Sequence, residues 1–342
     1  MNNYQCSSNG RILVTGGLGA IGTTLIKALI NYGRDVVVYD WKYYNTKGIS
    51  QGIKIVNGDI RDYKGLSKLL SRENITGIVH LAAISQVGFS ENNRSLCSSV
   101  NIGGTSSLIR AIEKSGKMPW VVNCSSREVY GEPINVPVNE YHPLHPVNTY
   151  GKSKALAENI LEYYTSVLGF NAITLRPSNV YGSIYDLPER MVPRFITNAL
   201  AGEHIEVYGG DQVLDLLHIS DAIDGIVRAI MLLERMTCHG YYDVFNLATG
   251  APHSLNDVIS LVSLYVGRDI DTVRLEPRSF DVKRYIGDTI KASEKLGFVA
   301  RTTLEEGIPA TIDLYKTCMY ELGHKSLTST SHEGLVYRGA VN

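Results

Sequence analysis

Cysteine is scarce and unpatterned in this chain. Five residues, Cys6, Cys97, Cys124, Cys238 and Cys318, are scattered over 342 positions. The number is odd, and no C-x-x-C or Cys/His cluster has metal-ligand spacing. That argues against a disulfide scaffold and a metal module. It predicts reduced, buried thiols, no bound metal and a cytoplasmic location. An excess of charge is missing too: 33 basic residues meet 34 acidic ones, a formal net charge of −1. No basic stripe suggests a nucleic-acid partner, and no polybasic segment suggests a membrane surface. No apolar run is long enough to span a bilayer, and residues 1–9 are too polar for a signal peptide. What is present is ordinary for a globular protein, with 44% hydrophobic and 20% charged residues. The length suits one large domain or two smaller ones.

Short apolar runs at 11–15, 35–40, 53–56, 77–81, 120–124 and 172–175 read as buried strands. Helix-length segments separate them: 20–32, 66–72, a long one at 92–115, and 150–168. Such alternation predicts an α/β fold, a doubly wound parallel sheet with helices on both faces. Beyond Arg176 the pattern loosens. Residues 218–233 read as a helix and 244–247 as a returning strand. Segments 183–215 and 251–315 read as a smaller, interleaved C-terminal substrate lobe. The Rossmann-type domain then takes 10–182 and about 216–250, with no clean linker. Residues 1–9 and 323–342 read as flexible tails.

The first strand runs into Gly16-Gly17-Leu18-Gly19-Ala20-Ile21-Gly22. Gly17, Gly19 and Gly22 fit the dinucleotide fingerprint, and Gly16, Gly19 and Gly22 fit its three-residue-spaced variant. Glycines there permit a tight turn and close approach of backbone to a pyrophosphate, which the helix N-terminus binds. Asp40 follows at the end of the second strand, at the spacing of a ribose-binding carboxylate. A carboxylate there repels a 2′-phosphate, so NAD is favoured over NADP, with Lys42 nearby as the counter-argument. Asp59 is placed to reach the adenine amine. Its competing reading is a helix N-cap.

Tyr150 and Lys154 stand one helical turn apart on one face. A tyrosine is a poor base near neutral pH, and a neighbouring ammonium favours its ionised form. Ser126, in the Ser125-Ser126 pair, supplies a hydroxyl to hold a substrate oxygen. Together the three suit removal of a proton from an alcohol while a hydride departs.

In order along the chain, these motifs resemble the extended short-chain dehydrogenase/reductase family, the NAD-dependent nucleotide-sugar epimerases and dehydratases of UDP-glucose 4-epimerase type. The run comprises Thr15 to Gly22, Gly58-Asp59-Ile60, His80-Leu81-Ala82-Ala83, Asn101 and Ser125 to Gly131. It continues with Tyr150 to Lys154, Arg176 to Gly182, Asp215 to Asp221 and Pro277 to Asp281. The resemblance spans about residues 11–315. It implies Ser126, Tyr150 and Lys154 as the catalytic triad, with Lys154 also on the nicotinamide ribose. It implies NAD contacts from Gly16, Gly19, Ala20, Ile21, Gly22, Asp40, Asp59, Ile60, Leu81, Ala82, Ala83, Asn101, Tyr150, Lys154 and Pro177. It also implies a nucleotide-diphosphate sugar as substrate, with Ser126 and Arg127 at the sugar and Asn179 and Arg278 at the diphosphate. A homodimer would form through segments 92–115 and 150–168.

Two departures divide the reading. Simple 4-epimerases of the family carry small residues where this chain has Arg127 and Glu128. The 4,6-dehydratases carry an acid and a Glu that removes the C5 proton. Glu128 matches that base, but the guanidinium of Arg127 cannot donate a proton to a leaving hydroxyl. Glu128 is thus either a base or the partner of Arg127. Leu214 stands where relatives often place an arginine for phosphate. The leading expectation is C4 epimerisation through a 4-keto sugar. The alternatives are 4,6-dehydration, decarboxylation or net C4 oxidation, and, from another class, a non-catalytic NAD-binding sensor or scaffold.

Overall fold

The computed structural model of the chain describes residues 10–41 and 52–321. The expected tails at 1–9 and 323–342, and Lys42, lie outside the described residues. Among the described residues no helix is long and apolar enough to cross a membrane.

Strand β1 (Arg11–Thr15) buries Ile12, Leu13 and Val14 completely, although successive side chains point to opposite faces. Both faces of the sheet must therefore be covered. Five further strands follow: β2 (Val36–Asp40), β3 (Lys54–Asn57), β4 (Ile75–His80), β5 (Trp120–Cys124) and β6 (Ala172–Pro177). Four short strands come next, β7 (Asn179–Tyr181), β8 (Ile205–Tyr208), β9 (Val213–Leu214) and β10 (Leu216–His218). Then β11 (Tyr242–Leu247) returns to pair with β6. The seven-stranded sheet has the order β11-β6-β5-β4-β1-β2-β3, and its pairs are parallel. The order reverses between β1 and β4. In such sheets a ligand binds in the crevice beyond the strand ends at that switch point.

Helices α1 (Ala20–Asn31) and α2 (Tyr63–Arg72) cover opposite faces, since their buried residues belong to different core clusters. The segment expected as one helix over 92–115 is helical from Arg94 to Ser115, as α4 (Arg94–Ser98), a π-helical turn (Ser99–Gly103) and α5 (Gly104–Ser115), with a short α3 (Val87–Asn92) before it. Asn93 leaves helical backbone at φ −130° and ψ 50°. Its side-chain amide donates to the carbonyl of Phe89 at 3.0 Å. Gly103 and Gly104, where the π turn passes into α5, keep right-handed helical backbone. Helix α6 (Thr149–Leu168) starts on Asn148, whose side chain accepts from the amide of Gly151, and stops on Gly169 in the left-handed region.

The smaller lobe contains α7 (Met191–Ala201), β8 and, after α8 (Ile219–Arg235), β12 (His253–Ser254), α9 (Leu255–Val266) and β13 (Thr272–Leu275). Its own core joins Phe195, Ile196, Val258, Val262, Ile308 and Ile312. Helix α10 (Ile290–Leu296) departs from the expected division. Ala292, Leu296 and Phe298 join the core under α8, and α10 packs on β11 and α8, against the main sheet. Helix α11 (Leu304–Glu321) then returns to the smaller lobe. Asp215 fastens the crossings. Its fully buried carboxylate accepts from Ser178 Oγ (3.0 Å) and from the amides of Thr249 (2.9 Å), Gly250 (2.9 Å) and Gly287 (3.2 Å).

Candidate active site

A cavity of about 1220 Å³ runs between the glycine loop, the start of α6 and the smaller lobe. Gly16 has φ +70°, and a Cβ on it would stand 2.6 Å from the amide nitrogen of Ala82. A Cβ on Gly22 would meet Gly16 O and Gly17 Cα at 2.6 Å. These two glycines are fixed by the fold itself. Gly19 differs: a Cβ there meets only Gly16 O, at 3.4 Å. Packing within the protein leaves that position open, and Gly19 lines the cavity. Its missing side chain makes room for a ligand at the N-terminus of α1, which suits a pyrophosphate.

Buried Asp40 lines the same cavity, and its Oδ2 accepts from the amide of Leu18 at 2.8 Å. The carboxylate thereby braces the glycine loop. Ala20, Ile21, Ile60, Leu81, Ala82, Ala83 and Pro177 also line it, as does Asp59. Asp59 is not a helix N-cap. That place belongs to Asp62, which accepts from the amides of Lys64 and Gly65. Asp59 instead pairs with Arg61 at 2.5 Å, which holds its carboxyl below the usual range. The glycine cradle, the buried carboxylate and the apolar floor fit a dinucleotide.

Asn101 stands apart from the other expected cofactor contacts in not lining the cavity. It is buried behind the cavity wall, and its side chain is spent on protein partners. Its Oδ1 accepts from the amide of Ile84 (2.8 Å), and its Nδ2 donates to Ile84 O (3.0 Å) and Ser153 Oγ (2.8 Å). It ties the stretch after Ala83 to α6. These bonds fix Asn101 between that stretch and the helix that carries Tyr150.

Tyr150, Lys154 and Ser126 meet at the cavity, and all three are buried. Burial pushes the Tyr150 phenol well above its ordinary range, and the nearby Cys124 adds to the rise. Arg190 provides the largest opposing influence, followed by a hydrogen bond with Ser126. The sequence suggested Lys154 for that electrostatic part. Here Lys154 Nζ donates to the carbonyl of Cys124 at 2.7 Å, and burial lowers its pKa. The reason is geometric: the end of β5 offers the ammonium a carbonyl.

Arg127 and Glu128 form a buried ion pair at 2.7 Å on the cavity wall. Arg127 Nη2 also donates to Asn179 Oδ1 at 3.2 Å. The second oxygen of Glu128 accepts from Asn148 Nδ2 at 2.7 Å. Arg278 is half-exposed, and its partner is Asp281 at 2.7 Å. Leu214 is a buried aliphatic in the wall and brings no charge. No group of His, Cys, Asp and Glu among the described residues is arranged to hold a metal.

The family model for GDP-mannose 4,6-dehydratase matches residues 13–311. The chain belongs to the extended short-chain dehydrogenase/reductase family of nucleotide-sugar epimerases and dehydratases. It is similar to a putative UDP-glucose 4-epimerase of Methanocaldococcus jannaschii, 30% identical over 309 residues, covering 89% of this chain and 98% of the relative. Among solved structures it resembles the UDP-glucose 4-epimerase of Thermotoga maritima with UDP-glucose, at 29% identity and a TM-score of 0.83. That match covers 90% of this chain and 99% of the other. It also resembles MoeE5 in complex with UDP-glucuronic acid and NAD, at 31% identity and a TM-score of 0.81. There the coverage is 90% and 100%.

Within this family fold, several cavity residues carry no signal in sequence. Arg190, Arg194, Tyr208 and Trp41 line the cavity but belong to none of the motifs. Arg190 donates to Ser85 O (3.2 Å) and Ser85 Oγ (3.1 Å), bridging the smaller lobe to the stretch after β4. His80, in the motif that ends β4, is structural. Its ring nitrogens meet Thr15 Oγ1 at 2.8 Å and Thr105 Oγ1 at 3.2 Å. Burial, with the charge of Lys154, lowers its pKa to about 3, so the ring is neutral at working pH.

Proposed function

We propose that this chain epimerises C4 of a nucleotide-diphosphate sugar, with NAD as its retained cofactor. When bound, NAD supplies the hydride acceptor and returns the hydride. The protein does the rest. Tyr150 takes the proton of the 4-hydroxyl, Ser126 hydrogen-bonds the same oxygen, and Lys154 steadies the end of β5 beneath them. A 4-keto sugar results. Re-reduction on its other face gives the epimer, as Tyr150 gives the proton back.

One observation favours epimerisation over 4,6-dehydration. Both carboxylate oxygens of Glu128 are engaged, one by Arg127 and one by Asn148, each at 2.7 Å. These bonds hold the carboxylate in the wall and oppose its turning toward a C5 proton, which a general base must reach. The neighbouring position, where dehydration needs an acid, holds a guanidinium that keeps its protons. The test is to incubate the purified enzyme with UDP-, GDP- and dTDP-sugars and read products by NMR. A C4 epimer is expected. A 4-keto-6-deoxy sugar would refute the reading.

We further propose a cytoplasmic homodimer. On α6, Leu156 (50% exposed), Tyr163 (62%) and Val167 (56%) form an apolar stripe at helical spacing. With α5 alongside, two copies would make a four-helix contact. Sedimentation as a monomer at micromolar concentration contradicts this.

A further inference from the structure

Arg194 lines the cavity without an ion-pair partner among the described residues. Arg194 projects from α7, and its Nη2 donates to the carbonyl of Glu206 at 3.0 Å. Its Nε is buried and without a hydrogen-bond partner. Among the described residues no carboxylate forms an ion pair with it. A guanidinium with a buried donor unpaired and no ion-pair partner costs free energy, which an anion at the cavity would offset.

The neighbours of Arg194 indicate which acceptor. Its guanidinium lies 5.5 Å from the ring centre of Tyr208 on β8. The guanidinium of Arg278 lies 4.9 Å from the same ring. Two arginines from different segments thus converge on one tyrosine at the cavity. The anionic groups nearby do not neutralise both. Asp281 pairs with Arg278, and Glu206 accepts from the Tyr208 hydroxyl at 3.4 Å. Leu214, also on this wall, supplies no charge.

We propose that Arg194 is a substrate-binding residue for the diphosphate, the second arm of a clamp whose first arm is Arg278. The inference rests on the nucleotide-sugar reading above and adds a residue to it. Forked donors match phosphate oxygens, and two guanidiniums suit a group with two anionic phosphates. Arg194 fills the charge vacancy left by Leu214, from α7 rather than from the wall strand. Tyr208 holds the two arms in place through its ring face.

The experiment is calorimetric titration of the NAD-loaded protein with UDP, GDP and dTDP, their monophosphates and the free nucleosides. Wild-type protein, Arg194→Gln and Arg194→Lys are compared. Arg194→Gln is expected to weaken the best diphosphate about tenfold or more and to leave the nucleoside within about twofold. Arg194→Lys recovers part of the loss, because it restores charge without the fork. The slope of affinity against salt also falls in Arg194→Gln. Unchanged NAD affinity and far-UV circular dichroism verify that each variant is folded. If Arg194→Gln binds the diphosphate as wild type does, the proposal is wrong. If it loses nucleoside and diphosphate equally, Arg194 reads the base and the proposal is also wrong. Failure of the wild-type protein to bind any of these nucleotides overturns the nucleotide-sugar reading itself, and the clamp with it.

Discussion

Tyr150→Phe is expected to lower turnover about 10²- to 10⁴-fold, the range for loss of a positioned general base. The substitution removes one oxygen from a buried side chain and leaves its ring packing. Stability and NAD affinity should stay near wild type. The phenol must ionise to act, and burial pushes its pKa up. Wild-type kcat/KM should therefore rise with pH across the neutral range, as the tyrosinate fraction grows. The phenyl ring of the variant has no such ionisation, so the residual activity should lose that rise. Steady-state kinetics between pH 6 and pH 9 would separate the two (about the range in which such folds stay intact). Undiminished turnover in the variant would remove Tyr150 from the mechanism.

Arg127→Met carries the second large effect, on stability. The Arg127 and Glu128 side chains are 8% and 10% exposed. Removing the guanidinium strands a buried carboxylate whose remaining side-chain partner is Asn148. Breaking a buried pair from one side costs about 3–5 kcal/mol. The double variant Arg127→Met/Glu128→Gln removes both charges and should recover most of that loss. Urea denaturation of the wild type, both single variants and the double variant closes the cycle. Additive losses would mean that the two side chains do not act as a pair.

Local chemistry explains which parts of the site were legible in sequence. The glycine loop follows β1 within a few residues, and Gly16 and Gly22 are demanded by backbone contacts inside that one unit. Tyr150 and Lys154 share a helix, so their spacing alone puts them on one face. The alternation of strands and helices fixed the sheet for the same reason. The hidden parts depend on long-range packing. Asn101 matched a motif, but a π-helical turn and a bond to Ser153 aim it away from the cavity. Arg190 and Arg194 reach the cavity only because α7 packs there, and α7 carries no glycine or catalytic pattern. Arg127 and Glu128 are adjacent in sequence, yet their ion pair and the bond to Asn148 needed the folded wall. The sequence places α10 with the smaller lobe because its apolar pattern does not say which core it joins.

Product analysis in deuterated solvent tests the central claim most directly. Epimerisation at C4 by hydride removal and return leaves the C4 and C5 hydrogens of the sugar unexchanged. NMR of the product should show inversion at C4, no deuterium on carbon and no net change in NAD. Deuterium on the sugar ring or C6, loss of the 6-hydroxyl, or accumulation of NADH in step with substrate would contradict the account.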